Sequence, residues 1–169
     1  MKLIGFILKI VANETNLEDI MAKESIGKYV AAIHRNAQSI MGCKLGEIDI
    51  NNGQYDFFFV ISKNEGISQK ELSEQLYIGK STTAKAVKQL MTNGYIYREQ
   101  DENDRRYFRL YLTEKGKKIA PLVNTTFLEL IEIYSKNFTP QEYEEAIKIL
   151  NKILGNLRDG KNKYCTDME

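Results

Sequence analysis

The residues best equipped for chemistry lie together in the middle of the chain: Lys80, Ser81, Thr82, Thr83, Lys85 and Lys88, then the run Asp101 to Arg106. Neither group holds a nucleophile with its base or a metal-ligand spacing. Ammonium groups interleaved with hydroxyls three and four residues apart put donors along one helix face, which suits phosphate oxygens and nucleobase edges better than bond cleavage. Ser81, Thr82 and Thr83 are the candidates for base or phosphate contacts, Lys85 and Lys88 mainly for phosphates, and Lys80 is a further DNA-binding candidate. Arg105 lies in a turn-rich stretch from Glu99 to Arg106, where a guanidinium on a thin hairpin can enter a narrow minor groove. Asp104 is expected to support that hairpin, with Arg106 either its partner or a further DNA-binding cation. Ser68 and Gln69 open a Ser-Gln-Lys-Glu run and can offer side chains and first-turn amides to a phosphate.

The charge is distributed to match. The formal net charge is only +1, but residues 79 to 118 carry 10 Lys/Arg against 5 Asp/Glu. Residues 1 to 78 carry 8 against 10, and residues 119 to 169 carry 6 against 8. A cationic middle between two slightly acidic flanks suits a polyanion bound at one place on the surface. An ordinary solvated helix face would carry similar residues, so the elements that hold them decide the reading.

Those elements alternate in period. Ile26, Val30, Ile33, Ala37, Ile40 and Met41 recur at helical spacing and predict a long helix from about Lys23 to Lys44. The apolar run Tyr55 to Ser62 fits a buried strand or a short core helix. Ser68 to Glu71 is a capping box and starts a helix; after Tyr77-Ile78-Gly79 another runs from about Lys80 to Thr92, with Ala84, Val87, Leu90 and Met91 inward and Asn93-Gly94 as its stop. Two short helices across a Gly-containing turn are a helix-turn-helix signature. The period then falls to two in Tyr95 to Arg98 and Tyr107 to Leu112, which predicts a β-hairpin, or wing. Thr113 begins a helix that Pro121 should bend or restart, and the Thr139-Pro140-Gln141-Glu142 box begins the last, with Tyr143, Ile147, Leu150, Leu154 and Leu157 on one stripe. These last helices carry more apolar surface than a small winged domain can cover, which points to a second subunit.

From Ile26 to Leu157 the chain resembles the multiple antibiotic resistance regulator (MarR) family of bacterial winged-helix repressors. The resemblance rests on ISQKELSEQLYIGKSTTAKAVKQLMTNGYIYRE and on the wing, where Asp101-Glu102-Asn103-Asp104-Arg105-Arg106 leads through Arg109-Leu110-Tyr111-Leu112 into Thr113-Glu114-Lys115-Gly116. It implies a symmetric homodimer held by the first and last helices, reading a palindromic operator in double-stranded DNA. It also implies, for many members, release by a small aromatic or anionic effector or by cysteine oxidation. Gly79 departs from the pattern, standing where the family often has an Asp or Asn cap.

The expected fold is mainly α with a small β-hairpin wing, a winged helix-turn-helix domain flanked by N- and C-terminal dimerisation helices. Residues 1–20 are expected to form an N-terminal helical extension and 161–169 a C-terminal tail. Within 21–160, residues 53–113 form the DNA-binding core and 21–45 and 114–160 the dimerisation helices. Tyr29, Ile33, Tyr55, Phe58 and Phe59 are candidates for a ligand pocket, though core packing accounts for them equally. His34, the only histidine, with Cys43 and Cys165, matches no metal site, and no cofactor is expected. The apolar stretch Leu3 to Val11 contains Lys9 and is too short to span a bilayer, so no membrane partner and a cytoplasmic location are expected. Gly-x-Ser-x-Gly, phosphate-binding Gly-rich and His-Glu-x-x-His patterns are missing, so an enzyme is not expected. The competing reading is a winged-helix module that binds protein, against which the concentration of cations in helix and wing argues.

Overall fold

The computed structural model describes residues 25–101 and 104–164. The extension expected over residues 1–20 and the terminal cysteine lie outside the described residues. Ser25 caps the first described helix, α1 (Ile26–Leu45), its hydroxyl accepting from the Lys28 N–H at 3.1 Å. Of the stripe foreseen on α1, Ala37 and Met41 are buried, but Ile26, Val30 and Ile33 are exposed. At the far end the Leu45 carbonyl accepts from the Ile48 N–H (2.9 Å) and the Tyr55 hydroxyl (3.0 Å), so a terminal acceptor is not left orphaned.

After a single 3-10 turn (Asn52–Gln54) comes α2 (Tyr55–Lys63), which resolves the strand-or-helix ambiguity in favour of a helix. Its buried residues are Tyr55, Phe57, Phe58, Val60 and Ile61. Adjacent pairs three residues apart fill one broad helical face, whereas a strand would send alternate members to opposite sides. Then follow β1 (Ile67–Ser68), α3 (Gln69–Gln75) and α4 (Lys80–Thr92). Between the helices Tyr77 sits at φ 55°, the Ile78 N–H donates to the Ser73 carbonyl, and the Ser73 hydroxyl donates to the Ile78 carbonyl. These bonds close the turn on itself and fix the step from one helix to the next.

The wing is β2 (Ile96–Gln100) and β3 (Phe108–Leu112), antiparallel with Ile96 opposite Leu112 and Gln100 opposite Phe108. The sequence reading foresaw two strands, but the sheet has three in the order β1-β3-β2, with Ile67 opposite Leu110. A two-residue strand is too short to show a period, which is why β1 was missed.

Next is α5 (Glu114–Ser135), one continuous helix that holds Pro121 inside it without the restart that was one of the two expectations there. Its start is tied to the wing. The Thr113 hydroxyl donates to the Gly94 carbonyl at 2.6 Å and accepts from the Gly116 N–H at 3.0 Å, and a Cβ at Gly116 would overlap the Tyr95 carbonyl. The second capping box also forms: the Thr139 N–H donates to Glu142 (2.8 Å) and the Glu142 N–H to the Thr139 hydroxyl (3.2 Å). It opens α6 (Pro140–Tyr164), which runs into the segment expected as tail.

The chain divides into two compact units between Thr126 and Phe127. In the first, Phe57, Phe58, Ile61, Leu72, Leu90, Ile96, Leu110 and Val123 form the core, with Phe58 edge-on to Tyr95 at 6.1 Å. The second leaves Leu128, Ile131, Tyr134, Phe138, Ile147, Ile149, Leu150 and Leu157 exposed.

Candidate nucleic-acid interface

Burial fixes which way α4 faces. Thr83, Ala86, Val87 and Leu90 point inward, so Lys80, Ser81, Thr82, Ala84, Lys85 and Lys88 are exposed. This corrects two expectations. Thr83, assigned to DNA contact, is 1% exposed; Ala84, assigned to the core, is on the outer face. The apolarity of Ala84 suggested the wrong rotation. Thr83 can be buried because its hydroxyl donates to the Gly79 carbonyl at 3.2 Å, which leaves no orphaned donor. The exposed methyl of Ala84 is a group suited to thymine methyl contact that sequence reasoning missed.

At the head of α4, Gly79 offers no side-chain cap and the first turn has no acidic residue. The exposed end of the helix therefore presents amides, two hydroxyls and Lys80 without an anion of its own, a favourable setting for a phosphate oxygen.

Ser68 is the capping residue that its pattern predicts, and this limits what it can offer a phosphate. Its N–H donates to Glu71 at 2.8 Å and its hydroxyl accepts from the Glu71 N–H at 3.2 Å, so its amide is already committed. The Ser68 backbone and then its hydroxyl hold the Glu71 carboxyl below its ordinary pKa, with Arg109 and Lys70 adding to the effect. A carboxylate so close makes Ser68 a poor phosphate donor; Gln69 beside it is half-buried.

In the wing, Arg105 is exposed and its backbone carbonyl accepts from Gln100 Nε2 at 2.6 Å. Arg106 is bound to Asp104 through Nε (3.0 Å) and Nη2 (2.7 Å), and its N–H also donates to Asp104 at 3.1 Å. The Arg106 guanidinium holds the Asp104 carboxyl below its ordinary range. Arg106 thus makes the Asp104 pair that was one of the two roles considered for it, while its side chain stays exposed at the surface. Arg109, which sequence reasoning passed over, lies where three elements meet: Nε is 2.6 Å from Asp101, and Nη1 is 3.1 Å from Glu71 and 3.2 Å from the Gly66 carbonyl. One signal was available, since alternation in β3 puts Arg109 opposite in direction to the core residues Leu110 and Leu112. Arg98 lies over the Phe108 ring at 4.5 Å.

The candidate ligand pocket does not hold together as a set. Tyr55 and Phe58 are core residues, with the Tyr55 hydroxyl committed to Leu45, whereas Tyr29 and Ile33 are exposed and Phe59 is half-buried. The broad inward face of α2 sorts these residues, giving Tyr55 and Phe58 the core packing that was the alternative to a pocket. His34 is exposed, close enough to Asp56 for its charge to act on that carboxyl. Among the described residues no group of three or more His, Cys, Asp or Glu is placed to hold a metal ion, and no helix is long and apolar enough to cross a membrane.

A helix-turn-helix with an uncapped cationic second helix, followed by an antiparallel wing carrying an exposed arginine, defines a winged helix-turn-helix protein. The MarR family model matches residues 48–106. An HTH-type transcriptional regulator of Bacillus subtilis, YybA, is 31% identical over 77% of this chain and 87% of its own length. A MarR protein from Peptoclostridium difficile has a solved structure with TM-score 0.71 and 33% identity, covering 83% of this chain and 92% of that one. A putative MarR family regulator from Listeria monocytogenes, solved in complex with a 26mer DNA, superposes with TM-score 0.74 at 27% identity over 86% of this chain and 97% of that one. The chain belongs to the MarR family of winged-helix, DNA-binding transcriptional regulators. Its relatives are regulators and not enzymes.

Proposed function

We propose that this protein is a cytoplasmic homodimeric repressor that reads a palindromic operator in double-stranded DNA and responds to a small aromatic or anionic effector. The observation that carries the DNA contact is the outer face of α4, with Lys80, Ser81, Thr82, Lys85 and Lys88, on the same compact unit as the Arg105 wing. In this reading α4 enters the major groove, Lys85 and Lys88 meet phosphates, and Arg105 enters the flanking minor groove. The Listeria protein's complex with DNA supports it. Two copies related by two-fold symmetry place half-sites about 34 Å apart, one helical turn. The exposed apolar residues of α1, α5 and α6 support the homodimer, since full cover of a Leu or Ile gains about 1.5–3 kcal/mol.

Selection from a random duplex pool at moderate salt, on wild type and Arg105→Ala, tests the reading. Wild type should enrich a palindrome, and Arg105→Ala should bind it on the order of tenfold more weakly with the dimer intact. A folded dimer that enriches nothing would shift the function to a protein partner.

A further inference from the structure

We propose that Arg109 is a positioning residue that locks the wing to the helix-turn-helix, so that Arg105 is pre-set for its groove; the inference rests on the DNA reading above. The contacts form a continuous path. The Asp104 N–H, next to Arg105, donates to Asp101 Oδ1 at 3.1 Å, and Asp101 Oδ2 accepts from Arg109 Nε at 2.6 Å. Arg109 Nη1 donates to Glu71 Oε2 (3.1 Å) and to the Gly66 carbonyl (3.2 Å), and the same Glu71 oxygen accepts the Ser68 N–H that opens α3. The wing turn, β3 and the start of α3 thus share one guanidinium. The Asp101 side chain is 11% exposed and that of Arg109 35%, so the inner pair is sheltered while the Glu71 arm, at 55%, is wet.

The path needs an arginine. A planar fork addresses two carboxylates in fixed directions, whereas an ammonium is a single point charge on a flexible stem. Pairs as wet as the Glu71 arm add little to stability. What the network can add is order: a hairpin already fixed before encounter gives up less conformational freedom on binding. Arg109 acts through Arg105, and this separates it from a cation that touches phosphate itself, whose loss would be independent of Arg105 and largely repaired by lysine.

The test is a double-mutant cycle on the full chain against the selected operator, with melting temperature as the fold control. Arg109→Gln should weaken binding on the order of tenfold with an intact fold, and cost nearly nothing further in an Arg105→Ala background. Arg109→Lys should bind as weakly as Arg109→Gln. Glu71→Gln, which retains an acceptor for the Ser68 N–H, should show a smaller loss with the same dependence on Arg105; it carries the test if Arg109→Gln does not fold. Losses that multiply with that of Arg105→Ala, or full rescue by lysine, would overturn the proposal. A second readout needs no DNA: 15N relaxation of the free protein should show residues 104–106 losing order in Arg109→Gln, and an unchanged wing would also overturn it. Loosening of the wing in a protein whose wild type binds no duplex would uphold the lock and overturn the DNA reading alone.

Discussion

Asp56 sits half-buried in the first turn of α2, and burial raises its pKa above the ordinary carboxylate value while His34 partly offsets the shift. The folded state therefore holds this proton at pH values where the unfolded chain has released it, so stability falls as pH rises through the window above the ordinary value. Asp56→Asn should melt higher than wild type at pH 7, with the gain shrinking toward about pH 4. Equal melting at pH 7 would mean the ionised carboxylate is well solvated. Glu71, Asp104 and Glu142 act in the opposite sense: their lowered values contribute stability above the ordinary carboxylate pKa that is lost as pH falls through the folded value. At this scale the sequence was most legible where charge and turn chemistry are local, as in Asp104 beside Arg106. It was least legible where a rotation of one residue matters. Thr83 and Ala84 exchange roles because a buried hydroxyl satisfied by the Gly79 carbonyl cannot be read from apolarity.

Both capping boxes were visible in advance because each is a four-residue pattern whose bonds close within itself. The three-stranded sheet and the helical state of α2 were not, since β1 exists only through pairing with β3, and α2 is set by what surrounds its five buried residues. Thr113-Glu114-Lys115-Gly116 occupies the middle ground. The threonine reads as a cap, but the reason for the glycine appears only with the Tyr95 carbonyl packed against it. Gly116→Ala should destabilise the fold by about 1–3 kcal/mol, measured by urea unfolding, because the group it would meet is backbone and not a side chain that can swing aside. A variant as stable as wild type would show that α5 can shift away from β2 at little cost.

Across the whole molecule, the surplus of apolar surface was foreseen from the stripes of the last two helices, and it is found on α1 as well. That surplus makes a direct prediction. Ile147→Lys with Leu150→Lys, at positions 42% and 49% exposed in the single chain, should convert dimer to monomer in sedimentation and lower operator affinity with it. A double variant that still sediments as a dimer would move the interface elsewhere. At the base of α5, Gly116 packs directly against the Tyr95 carbonyl, with the Thr113 hydroxyl bonded to both residues beside it. Side chains at such a seam act as springs, turning through their rotamers and absorbing small displacements. Here two backbones bear on each other directly, and close-packed interiors compress little. Little slack is left at this contact, so the start of α5 and the residue leading into β2 are expected to move together.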